Sequence, residues 1–291
     1  MDNQIFDKAC LGKLSTSCWQ GSKMLEPTYV SRLGDQDWIR ARKFLVNPER
    51  LNAIKAVVGR ARSYLQKKAL PFPIAGLTLI PKDAIFDIDA TLGELQVEFW
   101  QEVERFLESY DFARAEARRN LEDLFNEADY PMDIRAKFRF HWQFLTLNVP
   151  GKNALLSPAL YEQEKQKFLA LMEETRDLAI LALRQEFKGL IDHMVERLTG
   201  QEDGRPKQFK GSMVEKLNDF LEDFGTRNIF QDDELSELVS HAKAIVSGIN
   251  PEQLRQSDFV REHVASAMAR IKETVDENLL NLPRRKIRFA A

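Results

Sequence analysis

Residues 87–128 read DIDATLGELQVEFWQEVERFLESYDFARAEARRNLEDLFNEA. Leu92, Leu95, Phe99, Val103, Phe106, Tyr110, Ala113, Ala117, Leu121 and Leu124 recur in steps of three or four, which places them on one stripe of a helix. Glu94, Glu98, Glu102, Glu104, Arg105, Glu108, Arg114, Glu116, Arg118 and Arg119 lie between them and form a wet face. No proline interrupts the run. At ~1.5 Å per residue, about 40 residues make a rod roughly 60 Å long. Such a rod outruns a small domain, so part of it must pack on another long helix. The chain supplies one from about Ser157 to Leu198, with Phe168, Leu171, Met172, Leu178, Ile180, Leu183, Phe187, Leu190, Met194 and Leu198 as its stripe. The expected fold is therefore mainly α: a long antiparallel, coiled-coil-like helical hairpin, a small β element and a C-terminal bundle of shorter helices.

Ahead of the long helix, residues 5–25 carry partial alternation and read as a strand or an irregular pair. Asp35 to Phe44 reads as a short helix. Asn47-Pro48 starts another, with Asn as cap and Pro at the first helical position, and Leu51, Ile54, Val57, Val58, Ala61 and Leu65 carry its stripe to about Lys68. Leu70-Pro71-Phe72-Pro73 must be extended, because each proline pushes its predecessor out of the α region. Gly76 to Ile80 reads as a strand that Pro81 ends. After the long helix, Met132 to Lys137 reads as a short helix. Phe138 to Val149 reads as a strand, with a helix as the open alternative, and Pro150-Gly151 closes it.

Residues 201–211 are polar and punctuated by glycine and proline, as a linker would be. They divide the chain into residues 1–200, holding the β element and the hairpin, and residues 212–291, a C-terminal helical bundle. That bundle comprises Met213–Phe224, Asp232–Ser247 and Ser257–Leu282, followed by a basic tail with Arg284, Arg285, Lys286 and Arg288. Apolar residues are 44% and charged residues 30%, enough for a core and for long solvated helix faces. A net charge of −3 gives no bulk attraction to nucleic acid or anionic membrane. Cys10 and Cys18 are too few for a disulfide framework and fit a reducing compartment. The N-terminus MDNQIFDKAC carries no secretory signal, and no apolar run of about 18 residues exists to span a membrane. A cytoplasmic protein is expected.

Few motifs carry chemistry. None of His141, His193, His241 and His263 stands three or four residues from another, and Cys10 and Cys18 lack neighbours that would complete a tetrahedral metal set. Phosphate-binding loops and nucleophile elbows are absent. Cys18 beside Trp19 reads as a buried small thiol. The carboxylate pairs Asp87/Asp89, Asp123/Glu127, Glu173/Glu174 and Asp232/Asp233 read as helix-surface charges. No cofactor, metal or catalytic residue is expected. Phe138, Phe140, Trp142 and Phe144 alternate onto one strand face, which a core accounts for.

Ser17-Cys18-Trp19-Gln20-Gly21, the helix after Asn47-Pro48, Leu70-Pro71-Phe72-Pro73-Ile74-Ala75-Gly76 and Ile80-Pro81 ahead of a long acidic helix together resemble an uncharacterised bacterial and phage family over roughly residues 5–200. Its members are often encoded beside a MoxR-type AAA+ ATPase of cobaltochelatase-like kind and a protein with a von Willebrand factor A domain. The resemblance implies a setting and no catalytic residues. The expected role is a non-catalytic adaptor or scaffold in such an assembly, with Arg284, Arg285, Lys286 and Arg288 as one partner contact. Two alternatives are a pore-forming-like protein that inserts residues 138–156 and a nucleic-acid-binding phage or mobile-element protein. A homo-oligomer stays open.

Overall fold

The computed structural model describes residues 4–32, 34–35, 37–147, 157–199, 201–202, 205–206, 211–248, 254 and 257–280. It is mainly α-helical with a small antiparallel β element. The chain forms two compact units, one of residues 11–68 and 84–145, the other of residues 1–10, 69–83 and 146–291. Among the described residues no helix is long and apolar enough to cross a membrane.

The first unit is built on β1 (Ala9–Ser17), β2 (Ser22–Met24), β3 (Arg42–Phe44), α1 (Asn52–Lys68), α2 (Ile85–Glu108), α3 (Tyr110–Leu121) and β4 (Arg139–Leu145). β1 pairs antiparallel with β4, setting Gly12 opposite Phe144, Leu14 opposite Trp142 and Thr16 opposite Phe140. Phe138 and Phe140 are buried, while Arg139, His141 and Gln143 face solvent. The alternation in residues 138–144 therefore marks a strand, and the helical alternative falls away. β2 pairs with β3. Gly21 precedes β2 with φ +60, and a Cβ there would meet the Leu51 methyl at 2.8 Å. Only glycine suits that turn, which gives Gly21 of the Ser17–Gly21 motif a physical reason.

The stripe of residues 92–124 is buried at Leu92, Phe99, Val103, Phe106, Tyr110, Ala113 and Ala117, while Leu95, Leu121 and Leu124 are half-buried. The single rod is a correction: the run is two helices, α2 and α3, followed by short 3-10 turns at Glu122–Leu124 and Glu127–Asp129. At the junction the Ser109 hydroxyl donates to the Phe106 carbonyl at 3.0 Å, competing for an acceptor of the helix ladder. α3 stops where Glu122 takes φ +48, a left-handed conformation that a helix cannot continue through. A second correction concerns Asp35–Phe44: its end is strand β3, whose backbone pairs with β2, and Lys43 reaches from it to Asp129 and to the Leu124 carbonyl. A 3-10 turn at Arg135–Lys137 stands where a helix from Met132 was expected.

The second unit contains a short helix at Gln4–Lys8, paired segments Leu70–Pro71 and Thr78–Pro81, and the long helix α4 (Pro158–Thr199). α5 (Gly211–Arg227), α6 (Asp233–Val246) and α7 (Asp258–Leu280) follow. Ser157 caps α4, its hydroxyl accepting from the Leu160 amide at 3.3 Å. Gln201–Glu202 pairs with Arg205–Pro206 inside the stretch read as a linker. α7 lies along α4, and α5 packs on both α4 and α6. Phe106 contacts Trp19, Tyr110 and Phe138, whereas Phe187 stacks on Phe220 at 5.6 Å. Two of the helices after the linker, α5 and α7, thus share packing with α4.

Candidate partner-binding surface

α2 has two different faces. Ile88, Leu92, Phe99, Val103 and Phe106 point inward, against α1 and the β1–β4 pair. Phe99 meets Phe140 at 5.4 Å between ring centroids. One seam of α2 is fastened to the residues around β4 by polar contacts. Trp142 Nε1 donates to Asp89 at 2.8 Å, and Gln96 Nε2 donates to the Phe140 carbonyl at 2.8 Å. The Arg135 guanidinium lies over the Trp100 ring at 4.9 Å and is ion-paired with Glu104. These contacts fix the rotation of α2 about its axis.

That rotation leaves large apolar side chains in water. Phe86 is 86% exposed and Val97 59% exposed. Gln96, Val97, Trp100, Gln101 and Glu104 line a shallow groove of about 340 Å³ on the same side. Phe112, exposed on α3, lies under the Arg50 guanidinium at 5.5 Å. A rigid aromatic beside an arginine is a common anchor in protein interfaces. Sequence reading missed this surface because the acidic residues between Phe86 and Trp100 masked the second stripe.

Charged clusters elsewhere are structural clamps. The Asp129 side chain, 2% exposed, bridges Lys23 at 2.5 Å and Lys43 at 2.6 Å. Burial opposes its charged form, but the hydrogen bonds from both lysines outweigh that and hold its carboxyl below the usual carboxylate range. Burial also pushes the neighbouring Tyr130 phenol up to about 12, and its hydroxyl donates to the Leu45 carbonyl at 2.9 Å. In the second unit Arg184 forks onto Asp232, while Lys188 and Lys272 both reach Asp192.

The residues singled out from the sequence fall in different places. Arg284, Arg285, Lys286 and Arg288 lie outside the described residues, as does Asn250-Pro251. Of residues 138–156, read as an inserting tongue, 148–156 do too. Asp87 accepts a hydrogen bond from the Tyr64 hydroxyl at 2.6 Å, a packing role. Cys10 and Cys18 are half-buried, and burial raises both thiols; Arg62 and Lys55 pull Cys18 partly back. Among the described residues no group of three His, Cys, Asp or Glu side chains is gathered as a metal would need.

No curated protein and no solved structure matches the chain. A family model described as a protein of unknown function, DUF3150, matches residues 6–204. That match takes in the Ser17–Gly21 turn, the whole of the unit that carries the α2 surface, and α4. The chain belongs to the DUF3150 family of proteins of unknown function.

Proposed function

We propose that this protein is a non-catalytic adaptor or scaffold in an assembly built around a MoxR-type AAA+ ATPase and a protein with a von Willebrand factor A domain. The observation that carries the adaptor role is the outer face of α2, where Phe86, Val97 and the Trp100 groove are presented to solvent on a helix whose opposite face is core. Exposed apolar surface rimmed by charge marks protein interaction sites. The likeness of residues 5–200 to a family encoded beside such an ATPase supplies the partners. The basic residues Arg284, Arg285, Lys286 and Arg288 provide a second contact, suited to an acidic surface.

The test is co-purification of the full-length chain with the ATPase and the adhesion-domain protein encoded beside it, with and without nucleotide, followed by ATP turnover. Binding with altered turnover is expected, and the tail contact weakens as salt rises. A variant with alanine at the four tail cations separates the tail from the α2 face. Absence of binding by the wild-type chain to either partner, in both nucleotide conditions, refutes the assignment.

A further inference from the structure

The outer stripe of α2 has a register. Phe86, Ala90, Gly93, Val97 and Trp100 follow one another at intervals of four, three, four and three. That alternation is the seam spacing of a coiled coil, and it runs for about 20 Å of helix. It is separate from the buried stripe: Ile88, Leu92 and Phe99 occupy the inward side of the same helix. Phe86 and Val97 stand in water, and nothing lies within 4 Å of the position a Cβ on Gly93 would take. Ala90 and Gly93 in mid-seam would let a second helix come close to the α2 backbone.

The flanks of the seam decide what kind of helix fits. Residues beside seam positions set partner choice through charge. Here they are Asp87, Asp89 and Glu94 towards the N-terminal half, and the amides Gln96 and Gln101 beyond. The neighbouring cations are already engaged, Arg135 with Glu104 and Lys68 with Asp87 at 4.0 Å. A second copy of the chain would bring acids and amides against acids and amides. A helix with basic flanks would pair with Glu94, and with the solvent-facing side of Asp87 beside its Tyr64 and Lys68 contacts, while its apolar positions cover Phe86 and Val97.

We propose that the outer face of α2 is half of a heterotypic coiled coil, and that it takes a partner helix with apolar residues at heptad spacing and lysine or arginine on both flanks. This deepens the adaptor reading and rests on it for the existence of a partner protein. The geometry of the seam itself does not depend on which protein that partner is.

The experiment titrates the full-length protein into two labelled synthetic helical peptides and follows anisotropy. Both peptides carry leucine and alanine at the seam positions. One has lysine on its flanks and its twin has glutamate. The lysine peptide is expected to bind at least about tenfold more tightly than its twin. Val97→Asp should weaken it by at least about tenfold, and the paired reversal Asp87→Lys/Glu94→Lys should invert the preference. Val97 and Glu94 are exposed, so Val97→Asp should match the wild-type circular dichroism; Asp87 also accepts from Tyr64, so the reversal is run beside the single variant Glu94→Lys, which should shift the preference in the same direction. If Val97→Asp alone unfolds, the charge reversal still decides the outcome. Equal binding of both peptides, no saturable binding of the lysine peptide, or indifference to the charge reversal overturns the proposal. So does sedimentation showing self-association that the Val97 variant abolishes. Peptide binding that persists when the AAA+ ATPase fails to co-purify refutes only the identity of the partner.

Discussion

Arg184 offers a sharp test of what holds the second unit together. Its Nε and Nη2 donate to the two oxygens of Asp232 at 2.7 and 2.8 Å, and Nη2 also reaches Glu234 at 2.9 Å. The two side chains of the fork are 10% and 4% exposed. Asp232 also caps α6, its carboxylate accepting from the Leu235 amide at 3.2 Å. The hydrogen bonds with Asp232 raise the Arg184 pKa further, so its guanidinium stays charged. Replacing Arg184 with Met keeps much of the bulk but strands a buried carboxylate. Breaking one side of a buried pair costs about 3–5 kcal/mol. Asp232→Asn should cost less, because asparagine still caps the helix and Arg184 keeps Glu234. The double variant Arg184→Met/Asp232→Asn should lose less than the sum of the singles, with a coupling of about 1–3 kcal/mol. Urea denaturation followed by far-ultraviolet circular dichroism measures all four corners of the cycle. A loss below about 1 kcal/mol for Arg184→Met is the value of a solvent-exposed pair and would refute the reasoning.

Asp129 is depressed in the folded state, so its stabilisation is present above the unfolded pKa of about 3.9 and fades as pH falls through the lower folded value. The stability gap between wild type and Asp129→Asn should therefore narrow below about pH 4, and a gap that stays constant to the acid limit contradicts the clamp. Tyr130 is raised to about 12, so its contribution is complete below its unfolded pKa and is lost as pH climbs through the folded one. Ultraviolet titration should show one phenol that ionises only near 12 and disappears in Tyr130→Phe. Phe187→Asp should cost several kcal/mol, roughly 3–5, because it buries an unpaired charge against Phe220; unchanged thermal melting would show the stack to be wrong.

Much of the local structure was legible in the sequence because helix and strand impose fixed periods. The buried stripe from Leu92 to Ala117, the Ser157-Pro158 start of α4 and the one-sided aromatic strand through Phe140 all follow from spacing, and the structure keeps them. Other features depend on residues far away in the chain. An apolar stripe at helical spacing fits any other such stripe, so periodicity could not say that Phe106 would meet Trp19 and Phe138 while Phe187 met Phe220. Nor could it say that α7 would lie along α4. The buried spine of α4 also moved by a residue or so: Thr175, Ala179 and Ile191 lie deep, while Leu178, Ile180 and Leu190 are only half-covered. Helices packed on more than one side of α4 widen its buried surface beyond a single stripe. Arg42–Phe44 became a strand by pairing with Ser22–Met24, and Lys43 there reaches Asp129 and Leu124, some 80 residues on. The outer face of α2 became readable only once Asp89, Gln96 and Arg135 had set the rotation of the helix. Sequence by itself determined which residues share a face, since that is a property of local geometry. Tertiary structure decided which face meets which, since that choice is made by shape and charge between segments that have no sequence neighbourhood in common.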